Sequence, residues 1–273
     1  MVRLLHAAQT DVGMIRSGNE DNYAVRVPPP PPAGRGAGGG ESPQPEPWGL
    51  FVVADGMGGH AAGEVASEMA VQTLERELSS VRDLGDKAAA ERVTEALRTA
   101  NRTIHDRTIT EVDKQGMGTT ASVLLVSGHR YLIGQVGDSR VYLLRDGALK
   151  QITKDHSYVQ EQVDAGFLTP EQARYHPYSN VITRCVGASP DVQPDIYQGD
   201  VRVGDLFLVA SDGLTGMVDD RRLQMLLMSR AEPDRKVLQL IREANGRGGL
   251  DNITAIVVQV APDDDGAGNA KPQ

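Results

Sequence analysis

Apolar runs without a polar alternate recur along the chain, and several border an acid. Residues 50–54 read Leu-Phe-Val-Val-Ala and end at Asp55; residues 206–210 read Leu-Phe-Leu-Val-Ala and end at Ser211-Asp212. Residues 131–137 run into Asp138, and Asp251-Asn252 opens the run at 253–260. Short β-rich runs with no polar face predict strands buried on both sides. Further strands are predicted at 4–10, 23–27, 118–126, 140–145, 149–152 and 192–197. Asp146-Gly147, between two alternating strands, predicts a plain hairpin turn without chemistry, and the succession of hairpins predicts largely antiparallel sheet. Helical spacing covers 64–78, with Val65, Met69, Ala70, Thr73, Leu74 and Leu78 largely on one face. It also covers 86–112, where Val93, Leu97, Ala100 and Ile104 should face a sheet and His105 is an ordinary helix residue. Shorter helices are expected at 158–165, 169–174, 219–229 and 233–245.

Two segments break these patterns. Residues 28–47 combine the proline run Pro28–32, a glycine-rich stretch from Gly34 to Gly40, and Pro43, Pro45 and Pro47. Proline cannot donate to a sheet and this composition buries little, so the segment reads as an extended insertion between two strands; docking of a proline-recognising module is the lesser alternative. Trp48 should mark the return to the core. Residues 153–190 are polar and irregular, without a strong core pattern, and suit a mobile cover near a site. Residues 263–273 read as a disordered tail. One domain over 1–262, carrying the insertion at 28–47, is the resulting organisation.

The 273 residues are enough for a sizeable core, and the net charge of −9 argues against nucleic-acid or anionic-membrane partners. A single cysteine, Cys185, excludes an internal disulfide framework and a multi-cysteine zinc site, and suits a reducing cytosol. No apolar run approaches membrane-spanning length and the N-terminus has no signal-peptide core, so a cytoplasmic protein is expected.

The strand-end acids supply the candidate chemistry. An Asp-Gly turn alone is ordinary; a chain that repeats the device is less so. If strands of two packed sheets end at one edge, Asp55, Asp138, Asp212 and Asp251 converge, with Glu20 and Asp21 from a polar turn beside them. Carboxylates crowded together cannot all stay ionised without cations, and all-oxygen ligands point to Mg²⁺ or Mn²⁺. Two such ions can bridge a water and generate hydroxide near neutral pH while neutralising a phosphate. Arg16, close to Glu20 and Asp21, can clamp phosphate oxygens in a bidentate fork. Gly56, Gly58 and Gly59 let the backbone turn and approach a ligand.

These residues carry a resemblance. Arg16-Ser17-Gly18-Asn19-Glu20-Asp21-Asn22, Asp55-Gly56-Met57-Gly58-Gly59-His60, Gly118-Thr119-Thr120, Gly137-Asp138-Ser139-Arg140, Ser211-Asp212-Gly213-Leu214 and Asp251-Asn252-Ile253-Thr254 resemble, in order, the motifs of bacterial members of the PPM family, the type 2C metal-dependent Ser/Thr protein phosphatases. The match covers roughly 5–260. The resemblance implies an α+β fold: a four-layer α-β-β-α sandwich of two antiparallel sheets flanked by helix pairs. It implies two core Mn²⁺ or Mg²⁺ ions. Asp55 would bridge them, the Gly56 carbonyl and Glu20 would serve the second ion with Asp21 supporting bound water, and Asp212 and Asp251 would hold the first. Asp138 would help hold a weaker third ion, Arg16 would take the substrate phosphate, and residues 153–185 would form a flap. The implied reaction is direct attack of bridging hydroxide on phosphoserine or phosphothreonine, opposing Ser/Thr kinase signalling. The implied partners are phosphorylated proteins, a cognate kinase and its substrates, met by a monomer.

The chain departs from some relatives, chiefly eukaryotic, in carrying Met57 where they have a proton-donating His. His60 lies three residues on and reads as structural or supporting. Cys185 lacks the Cys-x5-Arg cradle of a thiolate phosphatase. Two rivals remain at this stage: an adaptor that has kept the fold but lost catalysis, and a dedicated phosphatase acting on one phosphorylated regulatory partner.

Overall fold

A computed structural model of the chain describes residues 2–28, 47–58, 62–82 and 86–263. His60, nearly all of the proline-rich insertion expected at 28–47 and nearly all of the tail expected at 263–273 fall outside the described residues. The elements run β1 (Val2–Asp11), β2 (Asp21–Arg26), β3 (Trp48–Met57), α1 (Ala62–Leu78), α2 (Asp86–Thr110), β4 (Gly118–Thr119), β5 (Ala121–Ser127), β6 (Arg130–Val136), β7 (Arg140–Arg145) and β8 (Ala148–Gln151). They continue with α3 (Tyr158–Asp164), α4 (Pro170–Arg174), β9 (Asp195–Asp200), β10 (Leu206–Ala210), α5 (Asp212–Thr215), α6 (Asp220–Leu227), α7 (Pro233–Gly246) and β11 (Ile253–Pro262).

The strands form two antiparallel sheets, ordered β1-β11-β10-β7-β8 and β2-β3-β5-β6-β9, with the short β4 pairing β3. Alternation along each strand explains the uninterrupted apolar runs. Leu50, Val52 and Ala54 of β3 pack under α1 and α2, whereas Phe51 and Val53 point into the space between the sheets. In β10, Leu206, Leu208 and Ala210 face α6 and α7, and Phe207 and Val209 face the other sheet. Both strand faces are covered, so neither can be polar. The helix stripe Val93, Leu97, Ala100 and Ile104 is buried, with Leu97 and Val93 against Gly134 of β6. A side chain at Gly134 would meet Val93 at 2.5 Å, which is why a bare backbone lies beneath that helix. Trp48 returns to the core and donates its indole N–H to the Val81 carbonyl. Asp146 and Gly147 both take positive φ in the β7–β8 turn, as a two-residue hairpin of matching twist requires. Among the described residues no helix is long and apolar enough to cross a membrane.

Several boundaries differ from expectation. β2 begins at Asp21, two residues before the predicted strand, so an acid assigned to a turn is a sheet residue facing Asp55 in register. Residues 118–126 divide into β4 and β5. The strand expected at 192–197 lies at Asp195–Asp200; paired only to β6 at a sheet edge, it needs no apolar run. Asp212 does not simply end a strand but opens the short helix α5. The 153–190 region is better anchored than its polarity suggested. His156, Ser157, Val159, Ala173 and Val186 are buried, and bridges join Thr119 to Val186 and Ser157 to Ile182.

Candidate metal centre

The edge where both sheets end gathers the acids. Asp21 and Asp55 are cross-strand partners on β2 and β3. Asp212 follows β10, Asp251 precedes β11, and Asp138 sits in the β6–β7 connection. Ser211 joins the two sheets: its hydroxyl donates to Asp21 Oδ2 at 2.7 Å and accepts the Thr254 N–H at 2.9 Å.

Small polar residues hold the backbone behind each acid. The Asp55 N–H donates to Thr120 Oγ1 at 2.9 Å, and its carbonyl accepts from the Thr120 N–H at 2.8 Å and Thr119 Oγ1 at 2.9 Å. Thr120 and Ser139 share a 2.7 Å hydroxyl contact, and the Gln135 amide donates to the Gly137 and Ser139 carbonyls, so the Asp55 and Asp138 segments are fastened together. Asn252 pins the β1–β2 loop. Its Oδ1 accepts the Glu20 N–H at 2.8 Å, and its Nδ2 donates to the Val12 and Gly18 carbonyls at 2.9 Å. Glycines permit the crossings: a Cβ on Gly213 would lie 2.0 Å from the Asn252 carbonyl oxygen, and one on Gly56 would lie 2.1 Å from that of Gly63.

These bonds give a direct expectation. Asn252→Ala removes the side-chain partner of three backbone groups at a partly buried spot. It should cost about 3 kcal/mol in chemical denaturation and, by freeing the loop that carries Arg16 and Glu20, raise KM several-fold.

The electrostatics are those of acids forced together. Asp21 and Asp138 are buried, and Asp55, Asp212, Asp251 and Glu20 are half-buried. Burial first, then repulsion from Asp21, Asp212 and Asp138, holds the Asp55 carboxyl well above the usual range. Burial and then Asp212 do the same to Asp138. Asp212 is raised by burial and Asp251, Glu20 is raised chiefly by burial, and Asp21 is pushed up to about 7, chiefly by burial. Arg16 Nη2 donates to Asp251 Oδ2 at 2.8 Å, with the Arg16 side chain 53% exposed. Asp21 Oδ1, Asp138 Oδ1 and Asp212 Oδ1 are buried without a hydrogen-bond partner.

Among the described residues no three His, Cys, Asp or Glu side chains stand as a ready-made ion cage; Asp251 is engaged by Arg16 and Asp21 by Ser211. The donor set nevertheless fits hard divalent cations. It consists of carboxylate oxygens, several without a partner, in mutual repulsion that added positive charge would relieve.

The expected acids thus stand where the two sheets end, Arg16 and Asp251 in contact and Asp21 opposite Asp55 across the β2–β3 pair. Sequence reasoning gave no role to Ser211, Thr119, Thr120, Ser139 or Asn252, although each lies within a quoted motif beside an acid. It also passed over His156. The His156 ring faces the Gly137 N–H on one side and Arg184 and Asp195 on the other, tying the 153–190 cover to the segment that carries Asp138. Cys185 is partly buried and its thiol is pushed up by burial, the opposite of a nucleophile's environment.

Comparison with known proteins agrees with this geometry. The family described as Protein phosphatase 2C matches residues 42–242. Serine/threonine protein phosphatase PstP of Mycobacterium tuberculosis is 39% identical over 263 residues, covering 96% of this chain and 46% of PstP, so the chain spans about half the length of that relative. Protein phosphatase PhpP of Streptococcus pneumoniae is 38% identical over 220 residues, covering 79% of this chain and 87% of PhpP. The crystal structure of M. tuberculosis PstP/Ppp superposes with a TM-score of 0.81 at 36% identity, covering 96% of this chain and all of that one (100%). The PstP catalytic domain in complex with two manganese ions gives a TM-score of 0.79 at 35% identity, covering 96% and 100%. With the two-sheet architecture, the ordered motifs and matches of this extent in agreement, the chain belongs to the protein phosphatase 2C family.

Proposed function

We propose that the protein is a Mn²⁺- or Mg²⁺-dependent phosphatase that hydrolyses phosphoserine and phosphothreonine in proteins. The observation that carries this reading is the crowd of raised carboxyls, three with orphaned oxygens, beside a half-exposed arginine. PstP binds two manganese ions in a homologous domain, which supports the same metal here. Asp55, Asp212 and Asp251 would hold the ions, with Glu20, Asp21, the Gly56 carbonyl and Asp138 completing their surroundings, Asp138 toward a third and weaker ion. When bound, such ions supply Lewis-acid activation of water and neutralise charge on the phosphate.

The remaining steps belong to the chain itself. Arg16 exchanges its Asp251 contact for phosphate oxygens and orients the phosphorus toward the carboxylates. Water oxygen bonds to phosphorus as the bond to the serine or threonine oxygen breaks, leaving inorganic phosphate and a free hydroxyl. Met57 has no proton to give, so the departing oxygen takes its proton from water. Substrates and partners are phosphorylated proteins, among them a cognate Ser/Thr kinase, met by a monomer in the cytoplasm, where a lone thiol suits the reducing conditions.

The test is hydrolysis of an aryl phosphate and a phosphothreonine peptide by the full chain. Turnover is expected with Mn²⁺, to vanish on chelation and to return when the ion is restored. Turnover indifferent to chelation, or tight Mn²⁺ binding without any hydrolysis, would overturn the proposal.

A further inference from the structure

Exposed apolar side chains stand beside Arg16. Val12, Met14 and Ile15 lie in the loop leading to Arg16, and Leu250 immediately precedes Asp251. Met14, Ile15 and Leu250 are 66, 67 and 55% exposed. Scattered exposed apolar residues are ordinary, but these belong to one surface. The Met14 N–H donates to the Gly249 carbonyl at 2.8 Å, Asn252 donates to the Val12 carbonyl at 2.9 Å, and Arg16 bonds Asp251 at 2.8 Å. Gly249 is pressed against Met14: a Cβ there would lie 2.8 Å from Met14 Cγ. Ile15 and Leu250 are therefore each one peptide bond from a member of the Arg16–Asp251 pair.

Resting on the phosphatase reading, we propose that Met14, Ile15 and Leu250 form an apolar rim that receives a hydrophobic side chain flanking the phosphorylated residue, so that the enzyme prefers phosphopeptides with apolar neighbours. The rim is continuous with the arginine that takes the phosphate. Consecutive Cα atoms of a substrate are 3.8 Å apart, so residues next to the phosphorylated one emerge over Met14, Ile15 and Leu250 once the phosphate is held. With cations bound, Glu20 and Asp251 are neutralised, so a charged neighbour of either sign gains nothing from them and would set its charge over exposed hydrocarbon.

The experiment uses phosphothreonine peptides identical except for Leu, Lys or Glu on both sides of the phosphorylated residue, with this chain and Mn²⁺. The Leu peptide should exceed the Lys peptide by about tenfold in kcat/KM, mostly through KM, the scale a small apolar contact supplies. In a Met14→Ser, Ile15→Ser double variant, and separately in Leu250→Ser, that ratio should fall toward one. All three positions are exposed, so neither variant opens the core. Equal rates for the three peptides, a higher rate for the Lys or Glu peptide, or a Leu preference that survives both variants would overturn the rim while aryl phosphate turnover kept the phosphatase reading. No turnover of any substrate would bring down both.

Discussion

Asp55→Asn is expected to lower kcat/KM for a phosphothreonine peptide by at least about a thousandfold, some 4 kcal/mol of transition-state stabilisation, while raising the stability of the metal-free protein. The two effects have one cause. Asn keeps the shape of Asp, and the bonds that fix this residue run through its backbone to Thr119 and Thr120, so the strand end should not shift. What disappears is a negative charge pressed against Asp21, Asp212 and Asp138. Without cations that charge is a liability, so its loss should raise the Tm measured in chelator. With Mn²⁺ it is the ligand proposed to be shared by both ions, so the increase in Tm on adding metal should shrink and turnover should fail. A substitution that merely damaged packing would lower both stabilities together. Wild-type turnover, or a metal-free Tm below that of the parent, would remove Asp55 from the centre of the site. Function is obtained here at the expense of stability, as is common where like charges are assembled to act.

How much of this was legible in the sequence depended on the range of the interaction. Strands β3, β10 and β11 declared themselves because residues such as Phe51 and Val52 are buried on opposite faces, leaving no position for a polar side chain. The strand-end acids were visible for the same reason: Asp55 and Asp212 stand out against such runs. Less visible was anything fixed by contacts across the chain. Asp21 looked like a turn residue because Asp-Asn-Tyr has weak strand character, and only pairing with β3 makes it a strand. Asn252 binds the Glu20 N–H across 232 residues, and Ser211 binds Asp21 across 190; neither spacing leaves a local pattern. Helix α5 is a single turn, too short for periodicity to announce. The 153–190 region is held largely by polar bonds such as those of His156, which leave no apolar stripe in its sequence.

The same crowded carboxyls fix how stability should vary with pH. In the unfolded chain these groups titrate near pH 4; in the folded, metal-free protein Asp21 titrates at about 7, with Asp55, Asp138 and Asp212 also raised. Above pH 4 the folded state therefore binds more protons than the unfolded state, and stability must fall as pH rises through the folded values. For Asp21 alone the full shift corresponds to roughly 4 kcal/mol, of which about half is lost between pH 5.5 and 8. His156, held below its ordinary value by burial, acts in the opposite sense as pH falls below about 6.5, but it is one group against several. In chelator, Tm should thus drop on the order of 10 °C between pH 5.5 and pH 8 for a domain of this size. Divalent cations replace the protons, so saturating Mn²⁺ should restore most of that loss at pH 8, do little at pH 5.5, and release protons on binding. Thermal melts at both pH values, with and without Mn²⁺, decide the matter. A chelated protein whose Tm is flat or rises toward pH 8 would mean that the acids at this sheet edge do not repel one another as their burial and arrangement require.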